Sequence, residues 1–373
     1  MTERFGPWSS ALGDGLSPHL STFWTRRLAL LASARRARPA LTRRDWLTLA
    51  AASAFICALP TFHLATADGP DDARSTSPGK IYVYADLSPG DADSEQGIFA
   101  VDPRTANWIK VCDFKGTVRV SRDGRMLALT GFGNIADGQG IDNVGVWTLA
   151  SDGTGERRRI ADFGGVTSWS PDGKQIIVVK GLSNPGDDDR LHETWRFNAD
   201  GSGGVKLPIP ETDEVDDWSP DGRWLVTVSD RHPPHGSGYQ LYLMHPDGTD
   251  QLRLTEGRGL NVYPRFSPDS RRVAYLHQER GITSAWVVNI DGTGRRQILQ
   301  DENDTSPDHL CWSPDGKSLA YKLLDWQRDE KGEKFLGDPE KANPRIAIMD
   351  DNGTNIRPLM LPRARWLGEP DWR

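Results

Sequence analysis

The sequence predicts an all-β protein built from repeated four-stranded units that close into a ring. Three observations predict this. A short turn recurs as Ser121-Arg122-Asp123-Gly124, then SPDG at 170–173 and 219–222, SPDS at 267–270 and SPDG at 313–316, at spacings of 49, 49, 48 and 46 residues. A large apolar residue precedes each turn: Val120, Trp169, Trp218, Phe266 and Trp312. A second turn follows within each copy, at Asp152-Gly153, Asp200-Gly201, Asp247-Gly248, Asp291-Gly292 and Asn352-Gly353. Two hairpin turns per copy mean four strands per copy. Units of that kind bury both faces only by stacking around an axis. The predicted architecture is a β-propeller.

The chain reads as residues 1–45, an Arg-rich N-terminal region; 46–67, an apolar segment; 68–76, a linker; and 77–373, the repeat array. Residues 1–67 hold eight Arg, no Lys and three acids, which leaves 37 bases against 49 acids beyond residue 67, a net charge of -12. Arg43-Arg44 lead into the uncharged run from Trp46 to Ala67, whose last three residues are Ala65-Thr66-Ala67. A basic region, a short apolar segment and an A-x-A site describe a cleaved secretory signal; an uncleaved N-terminal anchor is the alternative. The string Thr42 to Leu47, TRRDWL, resembles the twin-arginine export signal, with Trp46 in place of its usual Phe. The expected location is therefore periplasmic or secreted, the alternative being an inner-membrane anchor carrying an exported propeller.

Within the array each turn has a chemical reason. Ser accepts backbone hydrogen bonds, Pro presets φ, Asp suits the third position and Gly the fourth. Aliphatic runs such as Lys174–Val179 and Arg223–Val228 follow as strands. Six residues before the Gly of each second turn stand Trp147, Trp195, Tyr242, Trp286 and Ala347, a fixed register. The Trp at 147, 169, 195, 218, 286, 312 and 372 are expected in the core. The C-terminal Trp372 has no turn after it, while Ser77-Pro78-Gly79-Lys80 and the strand beyond it have no aromatic before them. One unit is thus expected to be completed by both ends of the chain, giving six blades.

The SPDG[KR] turn, preceded by Trp or Phe and followed by an aliphatic strand and a DGTG-type hairpin, resembles the TolB-like six-bladed propeller repeat over residues 77–373. That family's namesake is a periplasmic protein of the cell-envelope Tol system, with a sizeable α/β domain ahead of its propeller. Residues 68–76 leave no room for that domain, so its role in the Tol system is not expected to carry over. The resemblance implies that the strand before SPDG is innermost and that both turn types lie on one face.

The opposite face gathers segments of varied length, including 131–143, 183–192, 230–239, 301–309 and the insertion Leu324–Asn343. Variable loops on a rigid scaffold are where binding is expected. Their candidate residues are His192, His232, His235, His277, His309, Asp187, Asp188, Asp189, Asp216, Asp217 and Trp326. Such carboxylates and imidazoles suit Ca²⁺ or Mn²⁺, but no compact ligand spacing is present and no cofactor or metal is assigned. A hydrated acidic rim explains them as well.

The expected partners are a protein, a peptide or an envelope glycan. Nucleic acid is excluded by the acidic body, membrane contact is confined to the N-terminal segment, and the propeller is expected to be monomeric. No catalytic residue is assigned: there is no G-x-S-x-G elbow, and glycine strings such as Gly131-Phe132-Gly133 lack a following helix. The enzymatic alternative is a metal-dependent polysaccharide lyase, since propeller-type pectate-fragment lyases place His around a central metal. Cys112 and Cys311 fall in different blades and are expected to be unpaired and buried.

Overall fold

The computed structural model describes residues 79–87, 95–131, 145–182, 191–231, 238–300, 305–328, 334–335, 343–362 and 364–373. Residues 1–78, where an export signal is expected, and Asp187, Asp188, Asp189, His232 and His235 lie outside the described residues. Six antiparallel blades of four strands surround a central axis. Their innermost strands are Gly116–Val120, Gly165–Trp169, Asp213–Trp218, Leu260–Phe266 and Thr305–Trp312 for blades 1 to 5. In blade 6 the inner position is filled by two short pieces, Trp366–Leu367 and Asp371–Trp372.

Blade 6 is closed as the termini predicted. Trp372 lies opposite Ile81 and Asp371 opposite Tyr82, and Leu367 lies opposite Ala85. Lys80 N donates to Arg373 O at 2.6 Å, and Arg373 N donates to Lys80 O at 3.0 Å. Pairing the two ends of the chain removes the free edge that an open ring would leave.

The turns are held by their own side chains. In blade 2, Ser170 Oγ donates to Asp172 Oδ1 at 2.7 Å and accepts from Gln175 N at 2.9 Å. The same pair of bonds recurs at Ser121, Ser219, Ser267 and Ser313. The second turn locks each blade to its neighbour. Gly353, at φ 87°, lies so close to Ile298 O that an added Cβ would stand 1.9 Å away, so both its conformation and its contact require glycine. All these turns lie at one end of the ring, the turn face; the variable connections lie at the other, the loop face.

Core clusters form between blades, as in the group that joins Tyr263, Ala274 and Leu276 of blade 4 to Leu310, Trp312 and Leu319 of blade 5. Trp169, Trp218, Trp312 and Trp372 are buried there. Trp169 Nε1 donates to Arg119 O at 3.0 Å and Trp312 Nε1 to Arg265 O at 3.1 Å, so these two indoles satisfy their donors on the preceding blade, while Trp218 Nε1 donates to Gly222 O of its own turn. Trp147, Trp195 and Trp286 meet the expectation of a core position only in part: they are half-buried and pack against the edges of these clusters. They stand on third strands toward the rim, where Arg159 and Arg295 cover Trp147 and Trp286. The insertion after Asp325 forms a small hairpin, Gln327–Arg328 with Lys334–Phe335. No helix of the described residues is long and apolar enough to cross a membrane.

Candidate functional site: a charged channel

Side chains alternate along a strand, so when the aromatic residue enters the interblade core its predecessor faces the axis. Those predecessors are Arg119, Ser168, Asp217, Arg265, Cys311 and Asp371. Contacts that skip a blade confirm the placement: Arg265 of blade 4 lies 3.7 Å from Glu369 of blade 6.

Near the turn face these side chains link blades through backbone groups. Asp217 Oδ1 accepts from Ser168 Oγ at 2.7 Å, and Oδ2 accepts from Phe266 N at 2.9 Å. Ser168 Oγ accepts from Trp218 N at 3.0 Å. Asp371 Oδ2 accepts from Val120 N at 2.8 Å. Each acceptor satisfies the N–H of the aromatic position, or of its Val120 equivalent, one blade further on. A buried carboxylate is tolerable here because it receives such donors.

One layer deeper lies a compact ionic cluster. Glu369 is paired with Arg119, and His309 Nε2 lies 2.9 Å from Glu369 Oε1. His309 Nδ1 lies 2.8 Å from Asp308 Oδ1, and Lys322 Nζ lies 2.6 Å from Asp308 Oδ2. The imidazole sits at ion-pair distance from both carboxylates without hydrogen-bond alignment. Burial alone would raise the Glu369 carboxyl, but His309 and Arg119 outweigh it and hold it well below the usual range. Asp308 behaves alike: burial opposes ionisation, and His309 and Lys322 prevail.

Two bulges build this layer. The register shifts between Asp308 and Leu310 and between Val262 and Arg265, and the bulged residues His309 and Tyr263 have φ of 35° and 57°. Positive φ in residues with side chains costs on the order of 1 kcal/mol each. The result is that the two rings lie against each other, tilted by 37° with centroids 3.8 Å apart.

Several expected site residues are thereby relocated. Asp217 is not on the loop face but lines the channel near the turn face, 5% exposed, because a bulge between Val215 and Asp217 resets the alternation. His309 is a channel residue, 3% exposed, rather than a loop histidine. His277 lies within a strand, with Nδ1 2.9 Å from Asn261 Oδ1; burial, then nearby Arg295, lower its pKa. His192 opens the strand His192–Asn198, Asp216 is the bulged residue beside Asp217, and Trp326 is a half-buried residue of the insertion. These residues do not converge: among the described residues no group of three His, Cys, Asp or Glu is arranged to hold a metal. Cys311 is buried and Cys112 half-buried, both as free thiols; burial, then Asp371, push the Cys311 thiol up to about 12. The arginines of the channel were missed, although strand alternation marks their position.

No protein-family model matches this chain. Its strands superpose on TolB from Acinetobacter baumannii with a TM-score of 0.56 at 19% identity, covering 79% of this chain and 66% of that one. They superpose on a TolB-type protein of Agrobacterium tumefaciens with a TM-score of 0.53 at 19% identity, covering 76% and 88%. The fold is a TolB-like six-bladed propeller. In sequence, 74 residues are 35% identical to the Tol-Pal system protein TolB of Paramagnetospirillum magneticum, 20% of this chain and 16% of that protein. A stretch of 136 residues is 26% identical to an uncharacterised protein of Agrobacterium fabrum, 36% of this chain and 43% of that one. The chain thus spans less than half the length of these curated relatives.

Proposed function

We propose that this chain is an exported, non-enzymatic binding propeller that presents its loop face to a protein, peptide or envelope glycan. The observation that carries this reading is the state of the channel: Arg119, Glu369, His309, Asp308 and Lys322 are engaged with one another. A general acid or base needs reach to a substrate proton, and these groups are committed to one another across blades 1, 5 and 6. The loop face, by contrast, carries unequal connections on a rigid ring, the usual place for recognition. The likeness to TolB-type propellers supports a binding role at the level of fold.

Photo-crosslinking residues placed at His192 on the loop face and at Asp291 on the turn face test this in envelope preparations. A discrete crosslinked species from position 192 alone is expected. Equal labelling from both positions overturns the choice of face, and turnover of acidic oligosaccharides by the purified protein overturns the non-enzymatic reading in favour of a lyase.

A further inference from the structure

The channel mouth on the turn face departs from the repeat at two places. Blades 2 to 5 carry Pro171, Pro220, Pro268 and Pro314 at the second turn position, whereas blade 1 carries Arg122. The prolines tile the rim: a Cβ built at Gly222 would stand 3.4 Å from Pro171, one at Gly316 3.4 Å from Pro268, and one at Gly79 3.1 Å from Pro314. At Gly173 the only neighbour from blade 1 is Ser121, because Arg122 turns inward. It donates to Trp218 O, two blades away, and lies 3.7 Å from Asp217 Oδ1. Arg373 stands where the other copies have Ser and lines the same cavity.

The cavity is lined by four guanidinium groups, from Arg119, Arg122, Arg265 and Arg373, against two carboxylates, Asp217 and Asp371. The carboxylates are turned largely to Ser168 Oγ, Phe266 N and Val120 N, and Arg119 and Arg265 face Glu369. Arg122 and Arg373 keep open donors. Their side chains are only 16% and 19% exposed, yet the Nε of each is buried with no hydrogen-bond partner among the described residues. Arg373 Nη1 reaches only its neighbour Trp372 O at 2.8 Å and lies 3.5 Å from Asp371 Oδ1; its main-chain oxygen accepts from Lys80 N. Burial lowers Arg122 to about 10 against the pull of Asp217, and Arg373 adds to the effect. With Glu369 counted, four guanidinium groups face three carboxylates, so on a body of net negative charge one positive charge is in excess here.

We propose that the turn-face mouth of this cavity is an oxyanion site, in which Arg122 and Arg373 clasp a tetrahedral anion of the phosphate or sulfate class. Guanidinium donors match such oxygens in geometry, and an anion offsets the surplus charge while accepting from the open donors of Arg122 and Arg373. The site is independent of the loop-face reading above.

Calorimetric titration of the full chain with inorganic phosphate, against chloride at matched ionic strength, tests it. Saturable phosphate binding with a matching rise in Tm is expected. Arg122→Pro restores the residue that the other turns use and so preserves the fold; it and Arg373→Gln should each weaken phosphate by about tenfold or more. Should R122P lose its cooperative melt, R122Q replaces it. Absence of phosphate binding in the wild type, a response that chloride shares, or unchanged affinity in both variants overturns the proposal. Glycerol 3-phosphate separates two sources of the same chemistry: equal binding supports a phosphoryl group carried on a larger molecule, and selective loss supports the free ion.

Discussion

Asp371 Oδ2 accepts the backbone N–H of Val120 at 2.8 Å across 251 residues of sequence. This bond joins blade 6 to blade 1 at the axis, beside the strand pair that closes the ring. Removing the carboxylate leaves a buried N–H without a partner and frees Arg373 of its nearest anion. Asp371→Ala is expected to lower stability by about 2–3 kcal/mol, measured by urea denaturation. A change below about 0.5 kcal/mol would show that the terminal strands close the ring without it.

The two Trp registers should differ in weight. Trp312 is 2% exposed within the contact between blades 4 and 5 and donates to Arg265 O, whereas Trp286 is half-buried under Arg295. Trp312→Ala should cost about 3–5 kcal/mol through the cavity and the orphaned carbonyl. Trp286→Ala should cost well under half of that, since its site is open to solvent on one side. Equal losses of Tm in the two variants would contradict the burial assignment.

This contrast also shows what the sequence could reveal. Ser170, Asp172 and Gly173 were legible because their bonds are made within the turn itself, and local chemistry is written in adjacent letters. Trp169 and Trp312 were legible because the interblade core asks for an apolar residue at the same place in every copy. The channel residues share a position but no chemistry, running from Arg119 through Ser168 and Asp217 to Cys311. Their partners lie one or two blades away, at separations no local pattern reports. Bulges hid the rest: each inserts a residue, so His309 and Asp217, read as loop residues, are swung onto the axis. Arg122 was visible as a break in the proline pattern, and its meaning required the fold.

The thiols should react according to burial. Cys311 is 2% exposed, and burial together with Asp371 pushes its pKa up to about 12, so the nucleophilic thiolate is scarce at neutral pH. In a Cys57→Ala, Cys112→Ala background, disulfide-exchange reagent should label Cys311 only at the rate of unfolding. Rapid labelling under native conditions would place an opening motion at the channel.

Acid should weaken the ring through Glu369 and Asp308. Both carboxyls are held below their ordinary values in the fold, against the effect of burial, by His309 with Arg119 and with Lys322 respectively. A depressed folded pKa means that the unfolded chain takes up protons first. Their contribution is therefore fully present above the unfolded carboxyl range of about 4 and is lost as pH falls through it toward the folded values. Half-buried His277, whose pKa burial lowers, acts in the same direction at higher pH, because unfolding lets it protonate below about 6.5. Glu369→Gln strands Arg119, Arg265 and His309 together, and should cost roughly 3–5 kcal/mol at neutral pH. It should also flatten the fall in stability between about pH 5 and pH 3, because one linked proton is gone. Urea melts of wild type and E369Q across that range measure both effects; parallel curves would mean that Glu369 ionises in the fold as it does in the unfolded chain.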